Sequence, residues 1–160
     1  MIGTSTRTSD SASVIEFRPI GYIRRPGPRW GIKRWTREDV FEHDEELRRQ
    51  EVTVEVLPEY VDALDGIEGE EFLWLIWYAH LSGRPGSLRI HPYGDPSEPT
   101  RGIFATRSPV RPNNVMLSLV RLVARRGRLL VVRGTEAYDG TPVLDLKPFS
   151  PGLDSPASVP

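Results

Sequence analysis

The sequence predicts an all-β fold, a small single β-barrel with a short helix and disordered tails. Three observations carry this expectation. Short apolar runs recur along the chain, several alternate with polar residues at the period of a half-buried strand, and turns containing Gly or Pro separate them. At 160 residues, with 38% hydrophobic and 27% charged content, the chain has the size and balance of one soluble domain that buries a core without staples.

Residues 1–15 are polar, small and aperiodic, and read as a disordered tail. Residues 16–149 form the expected barrel domain. Residues 150–160 hold three prolines, cannot continue a sheet and read as a C-terminal tail. Within the body, Phe17–Ile23 is a short strand-like run. Val52, Val54 and Val56 alternate with polar partners. Glu59–Leu64 fits a short helix closed by Gly66. Phe72–Ala79 is apolar on both faces, as a central strand is, with Trp74 and Trp77 expected in the core. Leu88 and Ile90 alternate with Arg89 and His91. Val115–Val123 and Leu129–Val132 flank the basic turn Arg125–Arg128, a hairpin pattern, although Leu117–Leu122 alone also fits a helix. Val143–Leu146 closes the body as a strand.

Several classes of function are excluded or disfavoured. The absence of cysteine removes disulfides, thiolate nucleophiles and Cys-based metal sites. His43, His80 and His91 lack any metal-ligand spacing, so no metal is expected. No GxGxxG, GxxxxGK[ST] or GxSxG motif is present, which leaves no Rossmann, P-loop or nucleophile-elbow reading. The first residues lack the apolar core of a signal peptide, and no run approaches the ~20 apolar residues of a membrane span. The expected location is cytoplasmic, with no membrane partner. The net charge of −1 conceals local bias: residues 18–37 hold seven basic residues and no acid, and 99–135 hold eight arginines and no acid. Fourteen of the 22 acids lie in 38–71. Either one face suits a polyanion, or these segments neutralise one another across the fold.

Three blocks carry a family resemblance: RPIGYIRRP at 18–26, ALDGIEGEEFLWLIWYAH at 63–80, and RGIFATRSPVRPN at 101–113, the last continued by LSLVRL at 117–122 and DGTPVLDLKPF at 139–149. With these blocks in this order the chain resembles the TsaA-like (tRNA methyltransferase O) family. The resemblance implies a single non-Rossmann β-barrel and favours a strand over a helix at 117–122. It also implies a homodimer, S-adenosyl-L-methionine as cofactor, and N-methylation of threonylcarbamoyl-adenosine in the tRNA anticodon loop.

By the same resemblance the cofactor contacts map to Trp35, Thr36 and Arg37, to His80 and Leu81, to Arg107 and Leu117, and to Asp139, Gly140, Thr141, Pro142 and Val143. Asp-Gly is a tight-turn pair, and Gly140 lets backbone approach a ligand; a plain hairpin turn is the alternative. Arg107 and Arg111 suit bidentate binding of a carboxylate or phosphate, or simple solvation. Asn113 either reads an adenine edge or caps a turn. His80 is either a strand-end histidine or a cofactor contact. Trp30 and Arg34, with Arg111 and Asn113, are the candidate substrate residues, since aromatic and basic residues mixed in a loop suit unpaired bases. The acceptor is a weakly basic nitrogen, so a nearby carboxylate helps remove its proton. Asp139 and Asp145 are the catalytic candidates, with Lys147 as electrostatic partner or as a purely structural partner of Asp145.

The chain departs from the family where RPNNVMLS replaces the usual RPNPIGLS. Asn114 stands for proline and Met116 for glycine. Tyr138 is bulkier than the usual small residue, and Lys33-Arg34-Trp35 replaces a common Pro-Arg-Gln. These changes border the expected pocket and keep three functions in view: a tRNA methyltransferase, a same-fold methyltransferase of a small molecule, and a non-catalytic cofactor- or RNA-binding module.

Overall fold

The computed structural model describes residues 14–26 and 37–159. In chain order these form β1 (Gly21–Arg24), α1 (Arg37–Arg49), β2 (Glu51–Val56), β3 (Phe72–Tyr78), β4 (Arg89–Ile90) and β5 (Arg101–Gly102). They continue with β6 (Val115–Arg126), β7 (Leu129–Arg133), β8 (Pro142–Pro148) and the single-turn α2 (Pro151–Asp154). Six strands close a barrel in the order β1-β2-β7-β6-β3-β8, and all six pairings are antiparallel. Closure removes the exposed strand edges that invite aggregation. No helix among the described residues is long and apolar enough to cross a membrane.

The strand periodicity builds the core directly. Val52, Val54 and Val56 of β2 point inward and are buried, meeting Ile23 of β1 and Leu130 and Val132 of β7. On β3 the inward residues are Leu73, Leu75 and Trp77. Trp74, expected in the core, instead faces outward beside Phe149, at 6.1 Å between ring centroids, because the strand period sends it opposite to Trp77. The Trp77 indole N–H donates to Ser118 Oγ at 2.9 Å inside the barrel, so the buried ring keeps its polar atom satisfied. Residues 115–126 are strand throughout, and Gly127-Arg128 form the turn into β7.

Other expectations shift in extent. The first strand begins only at Gly21, and the Leu88–Ile90 pattern yields a two-residue strand. The short helix near 59–64 is a 3-10 turn over Pro58–Leu64. The C-terminal segment folds into α2 and a further 3-10 turn at Pro156–Ser158, with Ser150 N–H held by Asp154 Oδ2 at 2.7 Å. The longest helix, α1, carries no strong apolar stripe: among its described side chains only His43 and Leu47, one turn apart, are buried.

The barrel has two mouths. The upper one is formed by the ends of β1, β3 and β7 and the starts of β2, β6 and β8. Across it lie the 134–141 loop, α1 and the 79–114 excursion, whose Pro92–Gly94 turn touches α1. The lower mouth carries the 3-10 turns of Pro58–Leu64 and Ile67–Gly69 and a cavity of about 350 Å³ lined by Ile20, Tyr60, Ile67 and Leu146, among others.

Charge is largely neutralised around the barrel wall. Glu55 holds both Arg24 and Arg128, at 2.6 and 2.7 Å. Arg133 pairs with Glu51, Arg125 with Glu68 and Arg121 with Glu71. The acidic segment thus neutralises the later part of the basic one, although such exposed pairs each stabilise by only about 0–1 kcal/mol.

Gly134 and Gly140 hold the ends of the loop crossing the upper mouth. Both have positive φ, +119° and +76°. A Cβ on Gly134 would stand 2.7 Å from the Leu119 carbonyl oxygen, whereas one on Gly140 meets nothing within 4 Å. Gly134→Ala is therefore expected to cost about 3 kcal/mol, from strain and backbone displacement, and Gly140→Ala only about 1 kcal/mol. Chemical denaturation of the two variants checks the order; equal losses would contradict it.

Candidate active site

The upper mouth gathers residues from four distant parts of the sequence. At its base lies Arg25, the residue following β1, which is 7% exposed. Its guanidinium donates through Nε to Ala137 O (2.9 Å), through Nη2 to Thr135 O (2.8 Å), and through Nη1 to Leu47 O (2.9 Å) and Gln50 Oε1 (3.0 Å). One side chain therefore fastens the crossing loop to the C-terminal end of α1, where the helix dipole favours a cation. Burial lowers the Arg25 pKa, and the nearby Glu136 charge and Tyr138 oppose that shift. The Arg25 backbone N–H donates to Asp139 Oδ1 at 3.0 Å, which fixes the Asp139 carboxylate.

The Asp139-Gly140-Thr141-Pro142 turn is laced to β1: Gly140 N–H donates to Ile23 O at 2.8 Å, and Ile23 N–H to Thr141 O at 2.9 Å. Thr141 is buried, its Oγ1 lying 3.4 Å from His80 Nδ1. Burial lowers the His80 pKa, more than the Asp139 charge raises it, so the imidazole is neutral at pH 7. A neutral ring, a fixed carboxylate and a backbone turn open to space suit a cationic sulfonium group. These residues fit S-adenosylmethionine.

The remaining expected contacts divide. Arg107 donates through Nη2 to Leu117 O at 2.5 Å on β6, which joins two of them. Leu117 and Leu81 are exposed, while Pro142 is half-buried and Val143 is part of the core, so Val143 can present only backbone to a ligand. Arg37 opens α1, and Trp35, Thr36, Trp30 and Arg34 lie outside the described residues. Arg111 folds back onto its own loop, donating to Thr106 O at 2.8 Å. Asn113 is exposed. Asp145 and Lys147 pair with one another at 2.6 Å, and the register sets them opposite Ile76 and Trp74 on the outer wall. The fold does not bring them to the His80–Thr141–Asp139 group.

Asn114 shows why the usual proline is absent. Its φ is +50°, whereas proline is held near −65°. Its buried amide donates to Gly83 O at 3.1 Å and Pro109 O at 2.8 Å, closing the neck of the excursion. Met116 points into the barrel opposite Trp77 and is 7% exposed, filling space that the family's glycine leaves open.

Beneath α1 lies a polar cluster that sequence reasoning missed. Tyr138 Oη sits 3.4 Å from His43 Nε2, and Ser118 Oγ donates to Glu136 Oε2 at 3.1 Å. Asp44 is pushed up to about 6, first by burial and then by Glu136, with Arg48 opposing. Burial also raises the Tyr138 pKa and lowers that of His43. The bulk of Tyr138 was the one visible signal; the rest depends on where α1 docks.

With this geometry in place, the chain belongs to the tRNA-methyltransferase O N-terminal domain family, which it matches over residues 36–155. It is 38% identical over 141 residues to a probable S-adenosyl-L-methionine-binding protein of Methanothermobacter thermautotrophicus, a match spanning 88% of this chain and 94% of the relative. It is 31% identical to a mouse tRNA (adenine(37)-N6)-methyltransferase over 88% of this chain and 32% of that one. Among solved structures, TrmO from Pseudomonas aeruginosa superposes with a TM-score of 0.66 at 29% identity, over 92% of this chain. The chain spans 62% of that protein's length.

The cluster makes a pH prediction. Asp44 titrates at its ordinary value of 3.8 when unfolded and at about 6 when folded. Between these values the folded protein keeps a proton that the unfolded chain has lost, so its contribution to stability falls as pH rises through that window. Asp44→Asn should therefore stabilise the protein at pH 8 by about 1 kcal/mol, after allowing for solvent screening, and be neutral near pH 3.5. Thermal melts at both pH values check this; equal shifts would contradict it.

Proposed function

We propose that the chain, an S-adenosylmethionine-dependent methyltransferase of the tRNA-methyltransferase O family, N-methylates threonylcarbamoyl-adenosine in the anticodon loop of tRNA. The observation that carries the reading is that the DGTP turn meets the end of β3, with Thr141 Oγ1 3.4 Å from His80 Nδ1, while Arg107 of the FATRSP block is tied to Leu117 O near the start of the neighbouring β6. The adenine(37)-N6 activity named for the mouse relative supports the tRNA substrate.

S-adenosylmethionine supplies an electrophilic methyl group on a sulfonium, and the protein's task is to align the acceptor nitrogen in line with it and exclude water. His80, neutral at pH 7, adds no repulsive charge beside the donor. Asp139 is the candidate proton acceptor: Oδ1 is fixed by the Arg25 N–H, and Oδ2 has no protein partner among the described residues. Gly140 and Thr141 offer backbone for close approach. Arg107, anchored on Leu117 O, supports the pocket wall and presents its remaining N–H groups to a carboxylate.

A second reading, methyl transfer to a small molecule, draws support from Met116, which fills space inside the barrel opposite Trp77. A homodimer completes the proposal. The outer face of β3 and β6 presents Tyr78 opposite Val115, Ile76 opposite Leu117 and Trp74 opposite Leu119, an apolar sheet surface suited to a second copy.

Arg107→Ala and Asp139→Ala are each expected to weaken cofactor binding about tenfold or more, measured by calorimetry; unchanged affinity would refute the site. In a test with labelled S-adenosylmethionine, label should enter tRNA. Label confined to small-molecule fractions would overturn the tRNA assignment. Val115→Lys is expected to convert the dimer to monomer in sedimentation, and an unaltered dimer would move the interface elsewhere.

A further inference from the structure

The excursion from 79 to 114 differs electrically from the barrel wall. Among the described residues, the wall arginines Arg24, Arg121, Arg125, Arg128 and Arg133 each pair with a glutamate. The excursion carries Arg84, Arg89, Arg101, Arg107 and Arg111 against two acids, Asp95 and Glu98. None of these five arginines forms an ion pair among the described residues. Arg89, Arg107 and Arg111 are held by backbone or hydroxyl oxygens, while Arg84 and Arg101 are exposed and have no hydrogen-bond partner among the described residues.

The same segment exposes an aromatic ring without an apolar reason. Phe104 lies in the 3-10 turn Ile103–Ala105 and is 80% exposed, although its neighbour Ile103 is buried. The Arg111 guanidinium, tied down by the carbonyls of its own loop, sits 5.8 Å from the Phe104 ring centroid and braces one side of it. Arg101 stands three residues away on β5. A braced aromatic face beside unpaired cations is the arrangement that stacks a base and holds its phosphates. The excursion leaves β3 after Tyr78 and returns at Val115, and Arg107, three residues from Phe104, is tied to Leu117 O on β6, which sets this segment on the side of the barrel where the candidate mouth opens.

We infer that Phe104 stacks on an unpaired nucleotide flanking the methylated adenosine, with Arg101 holding the RNA backbone beside it. This rests on the tRNA reading above. Charge favours RNA over a second copy of the chain here: a self-complementary contact would oppose two surfaces carrying five arginines and two acids each. The charge-poor outer face of β3 and β6 has no such conflict.

The test is fluorescence anisotropy of the full chain with a labelled RNA hairpin bearing an unpaired loop and with a fully paired RNA of equal length. Phe104→Ala should weaken hairpin binding about tenfold while leaving duplex binding and cofactor affinity unchanged, and Phe104→Trp should restore it. Arg101→Glu should reduce the salt dependence of hairpin binding by about one phosphate contact. Hairpin affinity unaltered by Phe104→Ala, with the native chain still binding RNA, would overturn this inference alone. No RNA binding by the native chain at low salt would sink the tRNA reading itself. Conversion of a dimer to monomer by Phe104→Ala would also overturn the inference, since the ring would then serve an interface between copies.

Discussion

The upper mouth depends on one buried cation. Arg25 reaches from the end of β1 to three carbonyls and one amide, belonging to α1, to Gln50 just beyond it and to the loop before β8. A guanidinium in this position requires nearly every donor to be satisfied, since an unpaired buried charge costs several kcal/mol. The interaction is therefore a geometric constraint more than a source of net stability. It sets where α1 ends and where Thr135 and Ala137 lie, and its own backbone N–H fixes the Asp139 carboxylate. Remove that anchor and the DGTP turn has only its bonds to Ile23 and the weak His80–Thr141 contact to position it.

Around this anchor the barrel separates two jobs. Its lower wall and sides are neutralised by pairs such as Arg128–Glu55 and Arg133–Glu51, which leaves the long-range charge of the molecule to the excursion above β3 and β6. Of the two readings posed by the composition, mutual neutralisation holds for the wall, while the arginines of the excursion form no ion pair among the described residues. The contrast is between the 79–114 excursion and the wall: the excursion's arginines lack carboxylate partners among the described residues, whereas Arg24 on β1 and most arginines of β6 and β7 have one. A positive, aromatic-bearing arm beside a mouth of neutral and acidic groups places attraction for a polyanion next to tolerance for a cationic donor.

Much of the barrel was legible in the chain. The alternation of Val52, Val54 and Val56 gave β2 its inward face, and the run from Phe72 to Tyr78 gave a strand with neighbours on both sides. Which tryptophan of that run lies inside depends on register, and register emerges only when the barrel closes, hence the outward Trp74. The helix α1 was illegible because His43 and Leu47 are the buried pair and one of them is polar; acids in its opening residues and Arg48-Arg49 at its end were weaker clues. At the candidate site, the motif blocks pointed to Arg107, His80 and the DGTP turn, of which the structure sets His80 beside Thr141. They did not separate Asp139 from Asp145, because the bulge between Ile76 and Trp77 changes which face of β8 each later residue presents. Arg25 appeared only as one more basic residue, since its partners lie 22 to 112 residues away.

We propose that the upper mouth, not the lower cavity, receives the cofactor. Backbone amide NMR of the isotopically labelled chain titrated with S-adenosylhomocysteine tests it most directly. Large shifts are expected at His80, Leu117 and Asp139 through Thr141, with Tyr60, Ile67 and Leu146 of the lower cavity unmoved. Shifts concentrated at those lower residues, with a silent DGTP turn, would contradict it.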